Sequence, residues 1–166
     1  MIDKLQLPVI IAMASLCFCT ASAQNNTADT VTYYSSSQID AFLTTTTASP
    51  RLIGKTLGRS ADNEPYLVGV RAQPGDVEIH EQFDDVAIIR SGHGVLRTGK
   101  KVKGQKAGNN AGEWIGGVIE DAQERHLSPG DFVVIPAMVG HQYIPNPGES
   151  LTYWTIKVKH AKTSGK

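Results

Sequence analysis

The stretch PGDVEIHEQFDDVAIIRSG, residues 74–92, constrains this chain more than any other, and a later one, PGDFVVIPAMVGHQYIPN at 129–146, repeats its plan. Each opens on a Pro-Gly-Asp turn, runs into β-branched strand and delivers a histidine, His80 in the first and His141 in the second. Side chains two apart in a strand share a face, so Glu78 and His80 project together. The turn at 81–84 breaks the alternation and lets Asp85 point back to the same side. Polar groups of this kind are costly to bury beside apolar strand unless something pairs with them. A bound metal ion is one such partner. Two imidazoles with one or two carboxylates make a mixed N/O donor set that suits Zn, Mn, Fe or Ni.

The remainder of the chain supports a β-rich setting. Beyond residue 51, strand-like runs at 52–57, 66–71, 77–80, 86–89, 94–98, 114–119, 125–127, 132–135, 141–144 and 151–159 alternate with turn residues. That rhythm marks an all-β sandwich or barrel. The runs Val86-Ala87-Ile88-Ile89 and Phe132-Val133-Val134-Ile135 are continuously apolar, which predicts strands covered on both faces. A short helix is expected over 37–43, capped by Ser36 or Ser37, with Ile39, Phe42 and Leu43 packing on the β-structure. The segment GKKVKGQKAGNNAGE at 99–113 carries Lys100, Lys101, Lys103 and Lys106 among glycines and asparagines. It reads as a solvated, mobile hairpin loop, the alternative being a lid or anion-collecting loop.

The two histidine segments resemble the paired motifs of the cupin family, G-x5-H-x-H-x(3,4)-E-x6-G and G-x5-P-x-G-x2-H-x3-N. In the first, Asp85 stands where the family has glutamate, seven residues before Gly92. His80 takes the second histidine position, Glu78 occupies the first, and Gly75 falls short of the expected glycine spacing. In the second, Gly130, Pro136 and His141 match, Met138 replaces the inner glycine, and Asn146 comes one residue late. The resemblance spans residues 64–158 and implies an all-β cupin double-stranded β-helix, or jelly-roll barrel, with a short N-terminal helix. It further implies a divalent metal ion held by His80, Asp85, His141 and Glu78. Glu78, if not consumed in coordination, is the candidate general base, and Gln82, Arg90, Tyr143 and Met138 are candidates to line the pocket. A small-molecule substrate or ligand and a homodimer paired through sheet edges complete the expectation. Two functions stay open, a metal-dependent enzyme and a metal-free small-ligand-binding protein; a metal-free acid–base enzyme using His80 is a third.

Residues 1–23 read as a secretory signal peptide, with an apolar run at 5–18 and a small-x-small cleavage site at Ala21-Ser22-Ala23. Cys17 and Cys19, the only cysteines, fall inside it, so the mature chain has no disulfide, thiol nucleophile or Cys-ligated zinc. The expected product is exported, periplasmic or extracellular, and free of the membrane after cleavage. Lys plus Arg balance Asp plus Glu at 16 each, which gives no electrostatic case for a nucleic-acid partner. The chain then divides into the leader, an arm with the short helix at 24–50, one cupin domain at 51–160, and a disordered tail at 161–166.

Overall fold

The computed structural model describes residues 31–45, 53–60 and 63–161. The expected signal peptide, part of the N-terminal arm and residues 162–166 lie outside the described residues. After helix α1 (Ser36–Thr45) come β1 (Ile53–Arg59), β2 (Pro65–Arg71), β3 (Glu78–His80), β4 (Phe83–Ser91), β5 (Gly94–Gly99), β6 (Lys101–Lys103) and β7 (Lys106–Ala107). They are followed by β8 (Glu113–Ile115), β9 (Val118–Glu120), β10 (Gln123–Leu127), β11 (Phe132–Ile135), β12 (Gly140–Pro145) and β13 (Leu151–Lys159). A five-stranded sheet runs β1-β2-β13-β4-β11 and a six-stranded sheet β10-β5-β12-β3-β8-β7, with a separate ribbon β6-β9. All these pairings are antiparallel. Neighbours distant in sequence, such as β13 beside both β2 and β4, give the jelly-roll topology that the family resemblance implies.

Period-two alternation decides what faces inward. On β4, Asp85, Ala87 and Ile89 are buried, whereas Val86 and Ile88 between them are not. Ala87, Ile89, Leu96, Leu127, Ile135, Tyr143, Leu151 and Tyr153 form the core between the two sheets. Tyr143 and Tyr153, one from each sheet, stack at 4.7 Å between ring centroids. Their rings are apolar on the core side and carry hydroxyls at the other end. The interior therefore grades from hydrocarbon to polar along one axis, and the polar end holds the histidines.

Four expectations need correction. The runs 86–89 and 132–135 are covered on one face only: Ile88, Phe132 and Val134 are 36%, 64% and 53% exposed on the outer side of the five-stranded sheet. Helix α1 covers only part of that side, fixed by an Asp40–Arg90 ion pair and by the Lys55 ammonium over the Phe42 ring. Ile39 is the helix residue that becomes buried, as expected. Neither Ser36 nor Ser37 caps α1. Ser35 does, accepting from the Gln38 N–H while the Gln38 side chain accepts from the Ser35 N–H, a reciprocal capping box.

Residues 99–113 are not a mobile loop. Lys101–Lys103 pairs with Val118–Glu120, and Lys106–Ala107 pairs with β8, so the backbone is tied into ladders while the lysine side chains stay in solvent. The expected strand at 114–119 splits into β8 and β9 at Gly116-Gly117, both left-handed, with φ of 77° and 81°. A Cβ at Gly117 would stand 2.4 Å from the Lys103 carbonyl oxygen, so only glycine lets the two segments meet there.

Candidate metal centre

The register brings the two histidine segments together. His141 on β12 pairs directly with Glu78 on β3, and His80 pairs with Glu113 on β8. Cross-strand partners share a face, so Glu78, His80, Glu113 and His141 all project from the six-stranded sheet into the interior. Asp85 arrives from the opposite sheet, beside Lys157 on β13. His80, Asp85 and His141 are buried, and Glu78 keeps partial access to solvent.

Each histidine has its Nδ1 engaged. His80 Nδ1 lies 2.5 Å from Glu113 Oε2, and His141 Nδ1 lies 3.2 Å from the Val139 carbonyl oxygen. With Nδ1–H donating in both rings, both Nε2 atoms carry lone pairs in the neutral tautomer. Those atoms converge on one point: Asp85 Oδ2 is 3.2 Å from His80 Nε2 and 3.5 Å from His141 Nε2. Glu78 Oε2 is 3.9 Å from His80 Nε2. Ligand atoms of Glu78, His80 and His141 all lie within 4.8 Å of one another. Neither buried Nε2 has a hydrogen-bond partner among the described residues. Electron-rich atoms crowded in this way need a proton or a cation between them. The donor set of two imidazoles and two carboxylates fits a divalent ion of the Zn, Mn, Fe or Ni kind.

Without an ion, the proton goes to His80. Burial alone would depress its pKa, but the carboxylates of Asp85 and Glu113 on either side of the ring outweigh that and raise it to about 9. Asp85 moves the other way. Burial works to raise it, yet contacts with His141 and His80, and the charge of Lys157, hold it well below the usual carboxylate range. Glu113 thus orients the imidazole as a carboxylate behind a ligand histidine does.

A second layer surrounds these groups. Buried Arg71 donates through Nε to the Tyr153 hydroxyl at 2.7 Å and through Nη2 to Glu78 Oε1 at 2.7 Å. Lys157 Nζ stands 3.3 Å from Asp85 Oδ1 and 3.8 Å from Glu113 Oε1. Beside the donor set lies a cavity of about 50 Å³ whose lining includes Arg71, Glu78, Asp85, Tyr143, Tyr153 and Lys157. Burial pushes the Tyr143 hydroxyl up, so it stays protonated.

Of the residues singled out from the sequence, Glu78, His80, Asp85 and His141 are brought together and Tyr143 lines the cavity. Three pocket-lining expectations fail. Arg90 faces out of the barrel because its strand alternation puts it on the same side as Ile88, where it pairs with Asp40. Met138 is 59% exposed and takes the left-handed φ of 65° that the family's glycine would adopt without cost. Gln82 is exposed in the turn before β4, where its carbonyl accepts from the His160 N–H. His93 and His126 are exposed and lie outside the site. Sequence reasoning missed Glu113, Lys157 and Arg71. Lys157 was findable, since Leu151, Tyr153, Thr155 and Lys157 alternate along one strand and share its inner face. Glu113 was hidden inside the segment taken for a loop.

No family-level sequence pattern and no curated protein matches the chain. Solved structures do. A hydroquinone 1,2-dioxygenase (PnpCD), solved in complex with Cd2+ and 4-hydroxybenzonitrile, is 13% identical, with 72% of this chain and 71% of that one covered at a TM-score of 0.51. The ribosomal oxygenase YcfD from Escherichia coli is 19% identical over 60% of this chain and 24% of its own, at a TM-score of 0.42. Identity this low speaks for architecture and not for chemistry. The two antiparallel sheets, the paired histidine segments and the structural match together make this chain a protein of the cupin fold.

Proposed function

We propose that this protein holds one divalent metal ion between His80, His141 and the carboxylates Glu78 and Asp85, and acts on a small polar molecule in the adjoining cavity. The observation that carries this reading is the pair of buried imidazole nitrogens, both without a hydrogen-bond partner among the described residues, converging on Asp85 Oδ2. A bound divalent ion supplies Lewis acidity at a carbonyl or carboxylate of the substrate. Glu113 fixes the His80 tautomer, and Lys157 balances the charge of Asp85 and Glu113. Glu78 fits the role of ligand better than that of general base. Its Oε1 is committed to Arg71, and its Oε2 is turned toward His80.

The test is elemental analysis of protein purified without an affinity tag, before and after chelation. About one equivalent of metal supports the assignment, and His141→Ala should lose both metal and turnover. Stoichiometric metal retained in that variant refutes it. A second reading, a metal-free cupin that binds a small ligand without catalysis, is favoured by one observation: His80 Nε2 lies 3.2 Å from Asp85 Oδ2, so a proton on His80 can join that pair without an ion. Protein that carries no metal from any growth medium, yet binds a small ligand and forms no product from it, would support that reading.

Two further properties belong to this proposal. Export follows from the leader-like residues 1–23, and the mass of the mature chain should correspond to a start at Gln24. Association into a homodimer is supported by Ile88, Phe132, Val134, Ile156 and Val158, which lie exposed on adjacent strands of one sheet face. Contiguous apolar surface of this kind marks an interaction site.

A further inference from the structure

We infer that the cavity beside the donor set is a seat for a short monocarboxylate of two or three carbons, read by the Tyr143 hydroxyl between Arg71 and Lys157. This rests on the metal reading above and adds to it the class of ligand.

Three observations carry it. The first is an unused donor. Tyr143 is 4% exposed and lines the cavity, yet its buried hydroxyl has no hydrogen-bond partner among the described residues. A buried polar group without a partner is uncommon enough to need a reason, and a ligand is one such reason. Tyr153 adds to the donor side: its oxygen accepts from Arg71 Nε, which leaves its own proton to give. The second is charge. With neutral imidazoles, Glu78, Asp85 and Glu113 outnumber Arg71 and Lys157 by one. A divalent ion reverses that balance to one net positive charge, which matches a monoanion. The third is size. A cavity of about 50 Å³ has room for about four water-sized groups, the size of acetate or glycolate and too little for an aromatic acid.

The arrangement is also fixed in advance. The Arg71 guanidinium is held by Tyr153 and Glu78, and it lies against the backbone at Gly75, where an added Cβ would stand 2.1 Å from Nη1. A carboxylate is an acceptor-only group, so it satisfies Tyr143 without leaving a donor of its own unpaired.

The test is calorimetric titration of the metal-loaded full chain, in buffer free of carboxylates, with acetate, inorganic phosphate and benzoate. Metal content is measured on the same samples. The expected result is saturable acetate binding, weakened about tenfold or more in Tyr143→Phe because a hydrogen bond to a charged group is lost. Phosphate and benzoate should give no saturable heat. Equal acetate affinity in Tyr143→Phe, tighter binding of phosphate or benzoate, or no acetate binding to metal-loaded protein each overturns the proposal. If the chain takes up no metal, the metal reading fails by that measurement. The same comparison of wild type with Tyr143→Phe on the metal-free protein then decides the carboxylate seat separately.

Discussion

Replacing Glu113 by glutamine isolates the group that orients His80. The substitution keeps the size and an acceptor oxygen but removes the negative charge 2.5 Å from Nδ1. Two consequences follow, of known direction. Loss of a carboxylate behind a ligand histidine lowers metal affinity by about 10–100-fold, which is about 1.4–2.7 kcal/mol. In the metal-free protein the same carboxylate helps to raise the His80 pKa from 6.5 to about 9. A pKa raised on folding stabilises the native state in full below the unfolded value of 6.5, and that contribution is lost as pH rises through 9. For the wild type the loss between those limits is at most about 3 kcal/mol, and Glu113→Gln should shrink it. The metal should show the opposite trend, because it must displace the His80 proton: affinity rises with pH up to about 9 and levels off beyond. Urea denaturation of chelated protein at several pH values reads the first effect, and competition with a chromophoric chelator reads the second. A variant with unchanged metal affinity, or chelated wild type whose stability is flat between pH 6.5 and 9, refutes the account of this cluster.

Tyr143→Phe in the metal-free, ligand-free protein should be neutral or stabilising by about 1 kcal/mol, because the deleted hydroxyl has no hydrogen-bond partner among the described residues; clear destabilisation in urea would show an unrecognised partner. Gly75→Ala should drive Arg71 off Glu78 and weaken ligand binding while metal content persists, since the added methyl overlaps Nη1. Retained ligand affinity in that variant would show that Arg71 is dispensable. Phe132→Asp places a charge on the exposed apolar face, on the edge strand β11 and next to Ile88 on the neighbouring strand. Light scattering should report a monomer for it where the wild type is a dimer, and a monomeric wild type removes the dimer proposal.

How much of this was legible in the chain depends on whether a local rule reached far enough. The strand rhythm, the parity of Glu78 with His80 and that of Asp85 with Ala87 and Ile89 are local properties, fixed by the alternation of side chains within each strand. They gave the all-β class and the donor residues. Parity also supplied enough to exclude Arg90, which shares its face with Ile88, yet the apolar character of the run obscured which face was inner. The helix cap at Ser35 was within reach too, since Gln38 follows it by three residues.

What the sequence by itself determined, then, is which residues bear donors and on which side of their own strand they lie. Only tertiary structure decided which strands meet. The pairing of His80 with Glu113 depends on β3 lying beside β8, and that of Asp85 with Lys157 on β4 lying beside β13. These are contacts between residues 33 and 72 positions apart, formed by hydrogen bonds of the backbone that carry no side-chain signature. The unpaired Tyr143 hydroxyl is likewise a fact of packing. A tyrosine in a strand reads as core, and it is the cavity beside it that turns the same side chain into an unused donor.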